Sequence, residues 1–236
     1  MKSSANELKS RGFVDKSQID YDIDITVQSL KNQLESKSPE KRTSAAITIK
    51  EKNIYCLIPE LIAALRIENK LYSKIGISEA LVSFKEKTIK KVIPFLGKIG
   101  KNQHKKLPAK PFEKNNYPLP RDTIARILNK IGVDVIPILL NEADRMPRSQ
   151  LLEAIDVMGN ISYYHKNSES LNFLLNLFEK NRNDELMSWK IIRAFSAFPD
   201  PKIIKELEKV SVDSTIKQHL WEANRSLRLI NKRSKA

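Results

Sequence analysis

The sequence predicts an all-α fold made of repeated helix pairs, and two observations carry this prediction. Only six of the 236 residues are glycine and 7% are aromatic, a balance that favours helices over a β-sheet protein. An apolar stretch also recurs with a proline inside it, as LIPEL, VIPFL and VIPIL around Pro59, Pro94 and Pro137, at spacings of 35 and 43 residues. Repeats of this length are typical of stacked helical units. We therefore expect an α-solenoid of about five helix pairs with a terminal capping helix.

Each proline stretch is interpreted as the start of the second helix of a pair. Around Pro59 the apolar residues follow steps of three and four positions, which is the period of a buried helix face and not of a strand. A proline costs little near the start of a helix because the first N–H groups have no acceptor there. We therefore expect each helix to begin at most about one turn before Pro59, Pro94 or Pro137. The same register continues at Asn172 and Lys205, in two copies without a proline.

A first helix is predicted before each of these second helices. SPEKRTSAAITIK, at residues 38–50, has Ser38 as its N-cap and Pro39 as its first helical residue. Residues 25–36 are interpreted as the second helix of an incomplete first unit. Each first helix has a small residue on its apolar face, which allows paired helices to pack closely. These small residues are Ala45, Ala80, Ala125, Ala154 and Ala194, with Ala223 in the capping helix.

The segments SPEKRTSAAITI and FPDPKIIKELEKV resemble HEAT-like repeats of the phycobilisome-lyase type. That consensus has an Asp-Pro or Ser-Pro turn, an arginine and small alanines on the first helix, and an Ile-Pro-x-Leu start to the second. Asp200-Pro201 and the segment from Ser38 to Arg42 carry the similarity best, and it extends over residues 25–230. The resemblance implies an armadillo-like α-solenoid and no particular activity, because such repeats serve unrelated functions.

The repeat pattern has one interruption. Residues 100–122, GKNQHKKLPAKPFEKNNYPLPRD, are polar, basic and proline-containing, and they account for the longer spacing before Pro137. We interpret residues 100–120 as an extended, mobile insertion loop within a single HEAT-like domain that covers residues 25–236. A polar segment at residues 1–24 precedes this domain. Long loops in repeat proteins are either functional or disordered.

The net charge of +14 is unevenly distributed along this basic protein. Between Lys85 and Lys114 there are ten lysines and two glutamates, and the C-terminal helix is basic as well. Such clusters attract phosphate backbones, while a solvated loop and an acidic protein partner are the alternatives. The candidate binding lysines are Lys98, Lys101, Lys105, Lys106, Lys110 and Lys114.

Aromatic and guanidinium groups also recur in register near the C-terminus. Trp189 with Arg193, and Trp221 with Arg225, lie one repeat apart and are candidate binding residues. In size, class and charge the chain is similar to bacterial alkylpurine DNA glycosylases, which use tryptophans and an aspartate in a HEAT-like solenoid. The matching motif is missing, because the fourth residue after Trp189 is basic, so the resemblance assigns no catalytic residue. Core packing of both indoles is the alternative.

The acidic residues Glu142, Asp144, Glu153 and Asp156 could approach one another across neighbouring helices. Paired carboxylates can perform acid–base chemistry, although acids on solvated helix faces are far more common. The chain has no glycine-rich phosphate loop, and its three histidines have no metal-ligand spacing. No catalytic residue, metal site or cofactor is therefore predicted.

The single Cys56 lies among apolar neighbours in NIYCLIPEL and is expected to be a small core residue. One cysteine cannot form an internal disulfide, which favours a reducing, cytoplasmic environment. The N-terminal residues lack the apolar core of a signal peptide, and no apolar run is long enough for a membrane span.

The architecture favours a non-enzymatic scaffold that binds a protein partner through the concave surface of the repeats. The alternative is nucleic-acid binding through residues 85–114 and the basic C-terminus. A third hypothesis is a repeat-fold enzyme that acts on DNA bases or tethers a chromophore. An aromatic pocket near Trp189 or Trp221 would favour this last hypothesis.

Overall fold

The computed structural model describes residues 4–15, 17, 19 and 25–234. These residues form thirteen α-helices and no strand, which confirms the predicted all-α class. The helices are α1 (Ala5–Ser10), α2 (Val27–Leu34), α3 (Pro39–Glu51), α4 (Ile58–Ile67), α5 (Leu71–Ser83), α6 (Glu86–Val92), α7 (Thr123–Ile131), α8 (Val135–Glu142), α9 (Arg148–His165), α10 (Leu171–Lys180), α11 (Glu185–Phe195), α12 (Pro201–Asp213) and α13 (Lys217–Ser234).

The chain divides into two compact units, Met1–Pro94 and Phe95–Ala236. The boundary lies between α6 and the predicted insertion loop. The N-terminal segment predicted at residues 1–24 contains α1, while residues 1–3, 16, 18 and 20–24 of it lie outside the described part of the chain. The single domain predicted over residues 25–236 stays a prediction.

Helix α3 forms the centre of the first unit and packs against α1, α2 and α5. Its N-terminus is the one that the sequence predicts: the Ser38 side chain accepts a hydrogen bond from the Lys41 N–H, and Pro39 is the first helical residue. Ala45 and Ala46 are fully buried, which lets α3 approach its neighbours closely. The predicted small residues Ala80, Ala125, Ala154, Ala194 and Ala223 are likewise fully buried.

The proline rule holds for two of its three copies. Helix α4 begins one residue before Pro59, and α8 begins two residues before Pro137, as expected. The expectation is wrong for Pro94, which lies in the 3₁₀ turn Ile93–Phe95 directly after α6. A proline cannot donate the N–H that would extend a preceding helix, and Gly97 continues the chain with a φ of 73°.

The prediction of a buried Cys56 is also wrong. Cys56 lies in the 3₁₀ turn Tyr55–Leu57 that precedes α4, and its side chain is exposed. Only Leu57 of this turn is buried, because three residues of a short turn point in different directions and cannot all reach one core.

Helix α11 forms the centre of the second unit. It packs against α9, α10, α12 and α13, and every residue from Leu186 to Phe195 is buried. The Asp184 side chain caps it by accepting a hydrogen bond from the Met187 N–H. Among the described residues, no helix combines the length and the apolar character that crossing a membrane requires.

One ion pair connects α3 to the turn between α4 and α5. Glu68 accepts hydrogen bonds from Arg42 Nε at 2.7 Å and Nη2 at 3.0 Å, and from the N–H groups of Asn69 and Lys70 at 2.9 and 2.8 Å. The Glu68 side chain is only 1% exposed. A bidentate, buried carboxylate of this kind fixes both the turn and the helix.

We expect Glu68→Ala to lower the free energy of unfolding by about 3 kcal/mol, because it leaves the half-buried Arg42 guanidinium unpaired. Glu51→Ala is the control, since Glu51 is exposed and its pair with Lys50 is long, at 3.6 Å. The control should change the free energy by less than about 0.5 kcal/mol in urea titrations. Equal effects of the two substitutions would contradict this role.

Candidate functional site

The predicted insertion has no helix, and hydrogen bonds fix its path against the second unit. Its carbonyl groups between residues 114 and 120 accept bonds from side chains of α7, α9 and α13. The donors include Arg225 Nη2 to Asn116 at 2.6 Å, Asn160 Nδ2 at 2.9 Å and the Tyr164 hydroxyl at 2.9 Å. The loop is therefore anchored to the second unit along its second half.

Tyr117 is the deepest residue of this loop, with only 2% of its surface exposed. Its ring lies over Gly159 of α9, where a Cβ atom would be 2.8 Å from Tyr117 Cζ and 2.9 Å from Ala194 Cβ. Burial raises the pKa of the Tyr117 hydroxyl, which has no hydrogen-bond partner among the described residues. The missing side chain at Gly159 thus makes the space into which the loop docks.

A cavity of about 750 Å³ lies between the anchored loop and helices α7, α9 and α11. This volume is within the range of about 300–1,000 Å³ that is common for small-molecule sites. Its aromatic lining includes Phe112, Tyr117, Tyr164 and Trp189. Four exposed basic residues also line it and so lie at its opening; we call them the rim cations: Lys110, Lys114, Arg121 and Arg126.

Four buried charged residues lie at and beneath the cavity floor, and we call them the charge cluster: Glu153 and Asp156 on α9, Lys190 and Arg193 on α11. Lys190 Nζ lies 2.8 Å from Glu153 Oε1 and 2.9 Å from Asp156 Oδ2. Arg193 Nη2 lies 2.5 Å from Asp156 Oδ1. Only Asp156 and Arg193 of these four line the cavity. All four are at most 5% exposed.

The two acids of the cluster have opposite pKa shifts. Burial raises the pKa of Glu153 to about 7, and the neighbouring charge of Asp156 adds to the rise. Burial also acts to raise the pKa of Asp156, but the charges of Arg193 and Lys190 outweigh it and the pKa is lowered. At neutral pH the floor of the cavity therefore carries an ionised, doubly paired aspartate.

Sequence reasoning grouped Glu153 and Asp156 with Glu142 and Asp144 as acids that could meet across helices. In the structure, Glu153 and Asp156 lie on one helix and each pairs with a base, while Asp144 is exposed. The signal that could have revealed the cluster is a matched spacing. Two acids three residues apart are followed, 37 positions later, by two bases three residues apart, all within apolar helix faces.

The predicted aromatic and arginine candidates take different positions. Trp189 lines the cavity with the Arg193 guanidinium 4.3 Å and the His104 ring 5.0 Å from its ring centroid. Trp221 is half-buried, has Lys217 over its ring and does not line the cavity. Arg225 is buried and paired with Glu222, and it donates hydrogen bonds to two backbone carbonyls of the loop.

The candidate lysines are also divided. Lys110 and Lys114 belong to the rim cations. Lys105 and Lys106 line a separate, open depression of about 830 Å³ on the same unit, together with Lys180 and Arg148. Lys98 and Lys101 are exposed and line neither space.

Several residues of the site were not singled out from the sequence. Gly159 and Lys190 are among them, together with the rim residues Arg121 and Arg126. None carries a local motif: Gly159 and Lys190 act through partners that are distant along the chain, and Arg121 and Arg126 form no ion pair with a described residue. The exception is Lys190, which could have been found from the matched spacing of the charge cluster.

No protein-family model, curated protein or solved structure matches this chain. The similarity to HEAT-like repeats therefore stays a prediction from the sequence pattern. The chemistry of the cavity and of its opening is the basis for a function.

We expect Gly159→Ala to displace Tyr117, because a Cβ atom at this position overlaps the tyrosine ring. The free energy of unfolding should fall by about 1–3 kcal/mol. Release of the loop should also free its backbone for cleavage by trypsin at its exposed lysines, with new cleavage sites at residues 101–114 detected by mass spectrometry. Gly76→Ala is a matched helical control, since its nearest neighbour would be 3.4 Å away. Equal trypsin resistance of both variants would contradict the docking role of Gly159.

We expect Glu153→Gln to remove a pH dependence of stability. With a folded-state pKa of about 7 against an ordinary value of 4.5, Glu153 stabilises the fold fully below pH 4.5. That contribution is lost as the pH rises through about 7. Urea titrations between these pH values should show the wild type losing stability relative to the variant. A difference that stays constant over this window would contradict the raised pKa.

Proposed function

We propose that residues 95–236 bind nucleic acid through the cavity and the rim cations. The observation that carries this proposal is the grouping of four exposed cations around one aromatic-lined cavity. None of the four forms an ion pair with a described residue, so their charge is not neutralised within the fold. Cations of this kind bind phosphate groups and release counterions, which drives association with a polyanion.

The charges in the cavity and in the neighbouring depression also support nucleic acid as the partner. Among the lining residues that the structure describes, Asp156 is the only acid of the cavity, and it is already paired with Lys190 and Arg193. Lys105 and Lys106 add positive charge at the neighbouring depression. A phosphate backbone that follows the loop would meet lysines along most of its length.

A protein-binding scaffold was the leading interpretation of the sequence, and it stays a prediction together with the α-solenoid itself. The four unpaired cations at the opening favour nucleic acid over a protein partner, because charged residues are depleted at the core of protein–protein interfaces. No catalytic role is proposed for Asp156. A carboxylate with two charged partners and a lowered pKa is a poor general base at neutral pH.

We expect a triple charge reversal of Lys110, Lys114 and Arg121 to glutamate to weaken binding of a labelled oligonucleotide strongly. Three lost phosphate contacts should also reduce the slope of log K against log salt by about 2, at about 0.7 per contact for a single strand. Fluorescence anisotropy at several salt concentrations measures both effects.

The matched control reverses Lys37, Lys41 and Lys70, which are exposed residues of the first unit. Both triple variants carry the same net charge, so a difference between them reports the position of the charges. If the control weakens binding equally, or if the wild type shows no salt-dependent binding, the proposed site is wrong.

A further inference from the structure

We propose that the cavity receives one unpaired nucleobase, so that the protein prefers single-stranded or gapped nucleic acid to a fully paired duplex. The inference rests on the proposed function and adds what enters the cavity. Three features carry it: the distribution of charge, the exposed aromatic surface at the opening, and an unsatisfied buried donor at the floor.

Charge is separated between the opening and the floor of the cavity. The rim cations bring four positive charges that no described acid pairs with. Beneath them, the charge cluster is neutral as a whole when Glu153 and Asp156 are ionised, and the Asp156 carboxylate faces the cavity. A phosphate fits the opening, whereas the aspartate would repel it at the floor. A nucleotide has this same division, with a charged phosphate and an uncharged base.

The opening also exposes apolar surface that a phosphate backbone would not use. Leu119 is 65% exposed and Tyr164 is 53% exposed, and both line the cavity. Phe112 is half-buried, and the Arg225 guanidinium lies 4.8 Å from its ring centroid. Aromatic surface beside lysines is how single-strand-binding proteins hold the faces of bases without reading their sequence.

The floor contains an unsatisfied donor. Arg193 is 5% exposed and lines the cavity, and its Nε–H has no hydrogen-bond partner among the described residues. An unpaired buried N–H of this kind is costly. The carbonyl oxygens and ring nitrogens of a base edge are acceptors that could satisfy such a group. In a duplex these bases are stacked and paired, so only an unstacked base can enter a cavity with walls on several sides.

The test compares three ligands with the same number of phosphates: a thymidine single strand, the same strand with abasic residues, and a duplex of half that length. For the wild-type protein we expect the single strand to bind at least about fivefold more tightly than the abasic strand, the lower end of the effect of one stacked base. The duplex should bind no better than the abasic strand. Anisotropy at several salt concentrations measures the three affinities and their salt dependence.

Two sets of variants locate the base. In Trp221→Phe, Trp189 is the only remaining tryptophan, and its emission should change on addition of the thymidine strand but not of the abasic strand. Tyr164→Phe keeps the ring and loses its hydrogen bond to the loop, while Tyr164→Leu loses both. Tyr164→Leu should therefore bind the thymidine strand more weakly than Tyr164→Phe does. The two variants should bind the abasic strand with the same affinity.

The outcomes separate this inference from the proposed function. If the thymidine, abasic and duplex ligands bind equally and with steep salt dependence, the rim binds phosphates and no base enters the cavity. If none of the three ligands binds, both proposals are overturned. A thymidine preference that persists in Tyr164→Leu, with no change in Trp189 emission, would place the base outside this cavity and overturn the inference.

Discussion

The second unit depends on the four buried charges that join α9 to α11. Removing water from four ionised groups is costly, and a buried ion pair by itself contributes little net stability. Its value lies in specificity, because Lys190 contacts both acids and Arg193 contacts Asp156 only when the two helices have one particular register. A slip of one residue would leave charges buried without partners. The cluster therefore fixes the positions of the two helices that carry the floor of the cavity.

This register has consequences at both ends of the cavity. On α9, Gly159 lies one helical turn beyond Asp156 and provides the space for Tyr117. On α11, Arg193 bonds to Asp156 and covers the Trp189 ring, so one side chain links the charge cluster to the aromatic wall. Arg225 then holds the loop from α13 through two backbone carbonyls. The cavity therefore depends first on the register between α9 and α11, and then on the docking of the loop against these helices.

Local sequence signals predicted the helices well, but they could not predict contacts between residues that are distant along the chain. Ser38 and Pro39 begin α3, and the buried alanines mark the packed faces, because caps and helical periodicity act within a few residues. The same reasoning failed at Pro94, which follows a helix instead of starting one. It also failed at Cys56, which is exposed in a short 3₁₀ turn. The path of the loop depends on bonds such as that of Arg225 to Asn116, 109 positions apart. No short pattern encodes such a contact.

The basic residues around the cavity divide into two groups by burial, and this division explains why the charge at its opening could serve binding. Lys190, Arg193 and Arg225 are buried, each with a carboxylate partner, so their charge is neutralised where it would otherwise be costly. The rim cations are exposed and lack such partners, so their field extends into solvent and into the cavity opening. Because the loop carries Lys110, Lys114 and Arg121, its anchoring by Arg225 and Tyr117 also fixes the positions of these three charges. Contacts inside the fold thereby set the positions of the cations that an anionic partner would contact.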